Sequence, residues 1–413
     1  APVPQVILKP RKARPFYARH PWVLDSAIDR VEGDPADGDV VDLLGDKGKF
    51  IARGIFNSRS RIRVRLYTWD ADTPLDDAFW RRRIAAALEL RSQLGYDDPQ
   101  GGTRLIFSEG DGLSGLIVDR YADYLAVQVT AQAMAVRLPQ IVPMLVEMLH
   151  PRGIMLRTER GVSRTEGIEL RDGPWGTVPA FASAKTGLSP SPCGQPPDGP
   201  LLIVDNGLKY EVDLAEGQKT GFYLDQRENR VAAAGYLRDR RVLDMFCYSG
   251  GFALAASALG HAREVLGVDT SERAVTLAQA NAQRNRLENV RFQQGDGFET
   301  LESLLAASER FGGVILDPPK FARSRGAVDE ALRAYHWLNR LGVSLLEPGG
   351  ILVTCSCSGR VTREDFLYML VGVAQQTRRE IQILDQRGAS PDHPVSAACL
   401  ESEYLKCFIC RVV

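Results

Sequence analysis

Two cysteines stand one residue apart in the stretch GGILVTCSCSG, Gly349 to Gly359. The apolar residues before them predict a strand from Ile351 to Cys355, so Cys355 is expected to pack in the core. Cys357 follows the strand, in a loop of serine and glycine where a thiol can be reached. Such a cysteine is either a structural thiol or, if its pKa is lowered, a nucleophile for covalent catalysis. Its position past the strand end favours the nucleophile.

Aspartates recur where successive strands are expected to end. They are Asp244 in VLDMFCYSGGF, Asp269 in EVLGVD, Asp296 in QQGDGF and Asp317 in VILDPPKF, with Asp225 upstream in GQKTGFYLDQR. Ligands of doubly wound α/β sheets bind beyond the carboxyl ends of the strands. Aspartates also cap helices at strand–helix turns. Their recurrence at several successive strand ends nevertheless favours a ligand site.

The segment DMFCYSGG is a glycine-containing turn after the first of these strands, which is typical of a nucleotide-like cofactor site. NAD would need the pattern G-x-G-x-x-G for its pyrophosphate. Adjacent glycines beside an aspartate make a poor site for a dianion. S-adenosylmethionine, which carries a sulfonium and a ribose but no phosphate, suits the acidic strand ends better and is the predicted cofactor.

The motif DPPKF, Asp317 to Phe321, is more specific. Its two prolines fix the backbone as it leaves the sheet and remove two N–H donors. The motif therefore predicts a rigid platform that holds the Asp317 carboxylate, with Phe321 available to stack on a nucleic-acid base.

Alternating strand and helix patterns are expected to position these residues. From Leu201 onward, a hairpin with Asn206-Gly207 at its turn precedes regularly alternating strands and helices, which predict a parallel, doubly wound sheet. Residues 1–70 read as a small β-rich module, and residues 71–186 as a central α/β domain. Residues 183–200 are rich in Pro, Gly and Ser and read as a linker. The predicted C-terminal domain spans residues 187–413.

Four arginines alternate with mostly apolar residues in the N-terminal module. They are Arg59, Arg61, Arg63 and Arg65, in RSRIRVRL. Period two predicts a strand with one arginine face. That face is either solvated or in contact with an anionic partner such as RNA or DNA.

Composition sets limits on the class of protein. The 413 residues are 44% hydrophobic and 25% charged, with a net charge of −1, as in ordinary globular proteins of two or three domains. No apolar run reaches the ~18 residues that a membrane helix needs, and no secretory signal is recognisable. Seven thinly spread cysteines indicate reduced thiols, and hence a cytoplasmic location. Cys407 and Cys410 lack a second pair at zinc-site spacing, so no metal is expected, and Cys193, Cys247 and Cys399 receive no role.

The motifs also occur in a recognisable order. GQKTGFYLDQR, VLDMFCYSGGF, VDTS, DPPKF, TCSCSG, PDHPV and YLKCFICRVV together resemble the bacterial 23S ribosomal RNA large-subunit methyltransferase I family, which makes 5-methylcytosine. KARPFYARHPWV and the arginine strand are similar to the N-terminal PUA domain of that family, an RNA-binding β-barrel. The resemblance covers essentially the whole chain.

The resemblance implies a PUA domain, a central α/β domain and a C-terminal class I methyltransferase domain that acts on ribosomal RNA. It implies roles at matching positions: Phe222, Asp225 and Arg227 help to hold the cofactor, and Asp269 takes the ribose. The cofactor loop comprises Asp244, Tyr248, Ser249, Gly250 and Gly251, and Asp296 lies near the adenine. A homodimer is possible.

Cytosine methylation would use Cys357 as the thiolate that adds to C6, and Asp317 as the group at the N3 edge of the base. The base must leave its stack to reach the pocket. Many other RNA 5-methylcytosine enzymes carry a second cysteine where this chain has Pro319. Related guanine-directed enzymes share the DPPKF form but lack the equivalent of Cys357. Two alternatives therefore stay open: a guanine-N methyltransferase and a catalytically idle RNA-binding protein.

Overall fold

The computed structural model describes residues 2–176, 197–217, 219–321 and 325–413. Cys193 and most of the predicted linker lie outside the described residues. The chain forms two compact units, and each is built from separate segments. Unit 1 comprises residues 1–201, 212–222 and 391–402, and unit 2 comprises residues 202–211, 223–390 and 403–413. The three-domain division expected from the sequence remains a prediction, and the two units do not follow its boundaries.

The first sheet of unit 1 contains the N-terminal strands. These are β1 (Gln5–Leu8), β2 (Trp22–Leu24), β3 (Ile28–Glu32), β4 (Val40–Leu44), β5 (Phe50–Phe56) and β6 (Ile62–Thr68), with the short helix α1 (Arg14–Tyr17). Their order across the sheet is β2-β6-β5-β4-β1-β3. Alternating apolar residues of these strands, such as Val6, Leu43 and Val64, form its core, as expected when one face of each strand is buried.

The second sheet of unit 1 is β11-β10-β9-β8-β7. Its strands are β7 (Gly102–Phe107), β8 (Leu116–Tyr121), β9 (Tyr124–Val129), β10 (Gly153–Thr158) and β11 (Gly173–Pro174). The helices are α2 (Asp77–Gln93), α3 (Gln132–Ala135), α4 (Leu138–Leu149) and α5 (Arg160–Glu166). The Asp76 carboxylate caps α2 by accepting a hydrogen bond from the Phe79 N–H. Trp80 of this helix is fully buried against the sheet core.

A hairpin of β12 (Leu201–Asp205) and β13 (Leu208–Val212) follows. Its turn has positive φ angles of 51° at Asn206 and 78° at Gly207, which is the geometry that an Asn-Gly hairpin turn favours. The predicted turn is thus confirmed.

Unit 2 is built on a seven-stranded sheet with the order β16-β15-β14-β17-β18-β20-β19. Its strands are β14 (Arg241–Met245), β15 (Glu264–Asp269), β16 (Val290–Gln294), β17 (Phe311–Leu316), β18 (Leu346–Ser356), β19 (Ile381–Arg387) and β20 (Lys406–Val412). The helices are α6 (Arg227–Ala234), α7 (Gly251–Ala258), α8 (Glu272–Arg284), α9 (Gly297–Ala306), α10 (Val328–Leu345) and α11 (Arg363–Thr377).

The strands from β14 to β18 are parallel to their neighbours, and β20 is antiparallel to both β18 and β19. Helices long enough to cross over separate the parallel strands, as βαβ units require. The predicted doubly wound α/β fold is confirmed. Within the described ranges, no helix is long and apolar enough to span a membrane.

Candidate active site

The carboxyl ends of four adjacent strands of unit 2 bring predicted site residues to one edge. Met245 pairs with Val268 on one side and with Leu316 on the other, and Leu316 pairs with Thr354. The residues that follow these positions therefore leave the sheet side by side. Asp269, Asp317 and the loop of Cys357 meet at the edge where ligands of such sheets bind.

Cys357 lies just beyond β18. Its Sγ is 3.9 Å from the carbonyl oxygen of Pro318 in the DPPKF loop, which is the distance of a weak thiol hydrogen bond. Six cysteines are described: Cys357 is half-buried, and Cys247, Cys355, Cys399, Cys407 and Cys410 are buried.

Cys355 lies within the sheet, opposite Cys407 of β20. It is fully buried, and this burial, together with the neighbouring Cys407, raises the pKa of its thiol well above the ordinary value. A thiol in this environment stays protonated and unreactive. Its placement agrees with the core role expected from the sequence.

Tyr335 of α10 fixes the loop around Cys357. The Tyr335 hydroxyl accepts a hydrogen bond from Ser356 Oγ at 3.0 Å and lies 3.1 Å from Ser358 Oγ. These serines flank the cysteine on both sides. Burial raises the pKa of Tyr335 to about 12, and Cys357 and Asp317 add to that increase. Because the Cys357 thiol and the Asp317 carboxylate both raise the pKa of the Tyr335 hydroxyl, both lie in its surroundings.

Asp244 is the most isolated acid at this edge. It is 1% exposed, and neither oxygen has a hydrogen-bond partner of good geometry among the described residues. The Ala253 N–H favours the ionised form and opposes the increase in pKa only in part. Burial first, and then Asp317 and Asp269, raise the pKa of Asp244 well above its usual range. Buried acceptors in this state favour a ligand that is cationic or rich in donors.

The turn after β14 has an unusual backbone. The φ angle is positive at Phe246 (63°), Tyr248 (47°) and Gly250 (87°). Left-handed conformations in residues other than glycine are strained and concentrate at functional sites. A Cβ atom at Gly250 would lie 2.7 Å from Leu254 Cδ1, so a larger residue there would also displace the Leu254 side chain. Ser249 and Gly251, the remaining members of the predicted loop, are buried beside it.

Asp269 supports this turn. Its Oδ2 accepts a hydrogen bond from the Tyr248 N–H at 3.0 Å, and its Oδ1 accepts one from the Ser271 N–H at 2.9 Å. A carboxylate has about four acceptor positions, so each oxygen keeps a lone pair for a further donor. The side chain is half-buried, so a ligand hydroxyl can reach it.

The predicted upstream residues divide between the two units. Asp225 is buried in unit 2, and its Oδ2 accepts a hydrogen bond from the Tyr404 hydroxyl at 2.5 Å. Arg227 donates to Asp205 Oδ1 at 2.8 Å, within a buried ion pair. Phe222 belongs to unit 1, where its backbone N–H donates to the Tyr121 hydroxyl at 3.2 Å. The Arg227 guanidinium therefore already has an internal counter-ion.

Asp296 and Phe321 both have contacts within the protein that explain their residue types without a ligand. Asp296 is exposed and caps α9, accepting hydrogen bonds from the Phe298 and Glu299 N–H groups at 2.9 and 3.1 Å. Phe321 is half-buried, with its ring centroid 4.8 Å from that of Tyr335. Both of their predicted roles, near the adenine and against a base, remain predictions.

Arg65 requires a correction. The sequence placed it with three other arginines on a face that contacts RNA, but its side chain is only 8% exposed. Within unit 1 its guanidinium pairs with Glu166 at 3.1 Å and with Glu109 at 3.4 Å, and it donates to Ser114 Oγ at 3.0 Å. Burial alone would raise the pKa of Glu109, but Arg65 and hydrogen bonds lower it. Arg65 is therefore a structural cation with no surface for a phosphate.

The other three arginines are more accessible. Arg59 and Arg61 are exposed and precede β6, and Arg63 is half-buried within it. Arg59 lies 4.0 Å from Asp37. Period two thus predicts the strand correctly, but the burial of the strand at its C-terminal half removes one of the four predicted charges from the surface.

Three polar residues near Cys357 and Asp225 were not selected from the sequence: the buried Tyr335 and Lys406, and the half-buried Tyr404. Lys406 Nζ donates to the Ser358 carbonyl at 2.7 Å and to the Tyr404 carbonyl at 2.9 Å. Tyr404 and Lys406 lie in the motif YLKCFICRVV, where a lysine beginning an otherwise apolar strand is the available signal. Tyr335 has no comparable signal in a long amphipathic helix.

One cluster in unit 1 has donor types that suit a metal: His20, Cys399 and Glu401. The His20 Nδ1 accepts a hydrogen bond from the Trp22 N–H at 3.2 Å. Its Nε2, 3.3 Å from both Glu401 oxygens, must therefore carry the proton in the neutral ring. That nitrogen is a donor to the carboxylate, so hydrogen bonding accounts for the cluster.

These features fit S-adenosylmethionine. Asp244 offers buried oxygens without well-placed partners, and Asp269 keeps acceptor positions that suit the hydroxyls of a ribose. Carboxylates at this edge attract a cation such as the sulfonium. A carboxylate that is buried without such a cation is poorly stabilised. When bound, S-adenosylmethionine supplies an electrophilic methyl group.

Comparisons with known proteins agree with this cofactor and this fold. Residues 6–69 match the PUA-like domain family, and residues 191–401 match the family described as S-adenosylmethionine-dependent methyltransferase. A crystal structure of SMU.776, named as a methyltransferase and complexed with SAH, has a TM-score of 0.81 at 20% identity. It covers 98% of this chain and 99% of that one, which shows that the fold is shared.

Full-length relatives are more similar in sequence. The ribosomal RNA large subunit methyltransferase I of Yersinia pestis bv. Antiqua (strain Angola) is 36% identical over 411 residues, 99% of each chain. The protein of that name from Yersinia pseudotuberculosis serotype I (strain IP32953) has the same identity and coverage. With a methyltransferase sheet, acidic strand ends suited to the cofactor and full-length similarity, the chain belongs to the ribosomal RNA large subunit methyltransferase I family of S-adenosylmethionine-dependent enzymes.

Proposed function

We propose that this protein methylates C5 of a cytosine in 23S ribosomal RNA, with Cys357 as the nucleophile. The proposal is supported by one observation above the others. Among the described cysteines, Cys357 is the half-buried one, and it lies at the edge of the sheet next to the DPPKF loop, with Sγ 3.9 Å from the Pro318 carbonyl. A guanine-N methyltransferase has no use for a reachable thiol at this position.

In the proposed reaction, the Cys357 thiolate forms one covalent bond to the cytosine ring. Cys357 Sγ adds to C6 of cytosine, and C5 gains the nucleophilic character that it needs to take the methyl group from the sulfonium. The C5 proton then leaves to a base, and the C6–S bond breaks to restore the ring and the thiolate. Asp317, which shares the surroundings of Tyr335 with the thiol, is available to hydrogen-bond the N3 edge of the base.

Cofactor contacts are assigned to the residues at the strand ends. Asp269 would take the ribose hydroxyls, and Asp244 and the turn of Tyr248 to Gly251 would bound the cofactor pocket. Asp225, Asp296 and Phe222 are proposed as further contacts. Arg227 would act through its buried pair with Asp205 by holding the segment that carries Asp225.

The RNA substrate is proposed from two sources. The relatives are named as ribosomal RNA large subunit methyltransferases, and residues 6–69 form a PUA-like domain with exposed arginines at Arg59 and Arg61. Phosphate contacts of this kind position an RNA without reading its sequence. A cytoplasmic location and a homodimer remain predictions.

The test is a covalent trap. Large-subunit RNA transcribed with 5-fluorocytidine is incubated with enzyme and S-adenosylmethionine, and the products are run on a denaturing gel. Because fluorine cannot leave C5 as a proton, the thioether to C6 should persist after methyl transfer. The wild-type enzyme and Cys355→Ala should form the adduct, and Cys357→Ala should form none and lose turnover while it still binds the cofactor.

Two results would contradict the proposal: an active Cys357→Ala enzyme, or an adduct mapped to another cysteine. Nucleoside mass spectrometry of methylated RNA decides the product. Methylguanosine in place of 5-methylcytidine would establish the guanine-N alternative, and cofactor binding without any methylation of verified substrate would favour an idle RNA-binding protein.

A further inference from the structure

Lys406 is a buried lysine beneath the loop of Cys357. It is the first residue of β20 and pairs with Ser356, the last residue of β18. Only 2% of the residue is exposed. Two of the three ammonium donors are used on the carbonyl oxygens of Ser358, at 2.7 Å, and Tyr404, at 2.9 Å. Burying a lysine is costly unless its charge is compensated, so its presence here needs a reason.

The charged groups around Lys406 give a reason for burying it. Burial lowers the pKa of its ammonium group to about 8, and the first charge acting in the opposite direction is that of Cys357. The other charged groups that act on Lys406 are Glu403, Arg363 and Asp365. Arg363 already pairs with Glu403, at 2.7 Å, and Asp365 accepts the Thr362 N–H in the capping box of α11.

The negative charge near Cys357 does not favour a thiolate. Asp317 is negative, and Tyr223 and Tyr335 have raised pKa values, caused first by burial and increased by Asp317 and Cys357. A negative aspartate near a sulfur raises the pKa of the thiol unless a cation opposes it.

We propose that Lys406 is a positioning residue for Cys357: its ammonium group holds the loop through the Ser358 carbonyl and stabilises the thiolate relative to the thiol. The inference rests on the proposed function, because a thiolate is what addition to C6 requires. Lys406 does not touch the base, since it is buried and its donors point to backbone carbonyls. Its effect on the reaction is exerted through the sulfur.

Thiol titration tests this directly in the full-length enzyme. The rate of Cys357 alkylation by iodoacetamide is measured from pH 5 to pH 10, with the modified residue located by tandem mass spectrometry. In the wild type the midpoint should lie below the ordinary thiol pKa of about 8.5. Lys406→Met should raise the midpoint by about one unit or more and slow alkylation at pH 7 by roughly tenfold.

Two controls separate the charge from the fold. Lys406→Arg keeps the cation and should restore most of the low midpoint, whereas a purely structural role would not be rescued by charge alone. Lys209→Met removes an exposed lysine from β13 of the same unit and should leave the midpoint unchanged. Cofactor titration and thermal unfolding verify that each variant is folded.

A wild-type midpoint at or above the ordinary value would overturn the inference, even if Lys406→Met did not fold. So would a Lys406→Met midpoint equal to that of the wild type. If the fluorocytidine adduct still formed on Cys357 in that case, the proposed function would stand and the role of Lys406 alone would fall. If Cys357→Ala were active, while the Cys357 midpoint of the enzyme that keeps this cysteine still depended on Lys406, the proposed function would fall and the electrostatic pair would stand.

Discussion

The Tyr404 hydroxyl donates a hydrogen bond of 2.5 Å to Oδ2 of Asp225, a residue that is 1% exposed. Hydrogen bonds to buried charged groups contribute about 1.5–3 kcal/mol. Tyr404→Phe should lower the free energy of unfolding by about that amount and weaken S-adenosylmethionine binding, because Asp225 would lose its orientation. Denaturation and calorimetric titration measure the two effects. Tyr368→Phe, at a site 68% exposed, should change neither, and equal behaviour of the two variants would show that the Tyr404 hydrogen bond does not orient Asp225 for the cofactor.

Replacement of Asp269 should weaken cofactor binding more than it weakens the fold. Asp269→Ala should cost about 1.5–3 kcal/mol of binding free energy, since a charged hydrogen bond to the ribose is removed. Asp269→Asn keeps an acceptor for the Tyr248 N–H and should retain more affinity. Calorimetric titration compares the variants. Unchanged affinity in Asp269→Ala would show that the carboxylate only supports the turn.

Loss of Arg65 should destabilise unit 1 without acting on RNA. Its removal leaves the buried Glu166 and the half-buried Glu109 without their cation, and breaking a buried ion pair typically costs about 3–5 kcal/mol. Arg65→Met should therefore lower the unfolding midpoint sharply. Arg61→Met, at an exposed position, is the matched control and should be nearly neutral. Comparable stability of the two proteins would contradict the ion-pair assignment.

The three more accessible arginines should account for the electrostatic part of RNA binding. Changing Arg59, Arg61 and Arg63 to Ser should weaken affinity for large-subunit RNA. It should also reduce the dependence of log K on log salt by roughly one for each phosphate that the protein no longer neutralises. Filter binding across a salt series measures both quantities. An unchanged slope would mean that RNA binds elsewhere.

Asp244 should make stability depend on pH. Its folded-state pKa is raised, so the unfolded chain loses this proton at lower pH than the folded protein does. The stability that the protonated Asp244 contributes is fully present below the unfolded pKa of about 3.9 and is lost as pH rises toward the folded pKa. Over that interval, the free energy of unfolding of Asp244→Asn should rise relative to wild type by up to about 1.4 kcal/mol per pH unit. Urea denaturation from pH 4 to pH 8 measures the difference, and a constant difference would show that Asp244 is ionised in the folded protein.

Much of unit 2 is predictable because its signals are local. Hydrophobic runs separated by helical patterns give the parallel strands, and Asn206-Gly207 gives the hairpin turn. The loop position of Cys357 also follows from the composition of the residues around it. These features depend on neighbours in sequence, which a single chain reveals.

Features that depend on distant partners are not predictable in this way. Arg65 looks like its exposed neighbours because Glu109 and Glu166, which bury it, lie far along the chain. Arg227 likewise meets Asp205 of the preceding hairpin. The strain at Phe246 and Tyr248 has no residue signature, since both are ordinary side chains held at positive φ by their surroundings.

The place of β20 has a consequence for the newly made protein. This strand follows β18 and β19 in the chain, yet it lies between them in the sheet. While a nascent chain emerges residue by residue, β19 therefore has no neighbour to pair with until Lys406–Val412 has left the ribosome. A prematurely terminated product that ends before Lys406 would expose the open edges of both strands, and such edges promote aggregation. It would also lack Lys406, and with it the cation that we propose for Cys357.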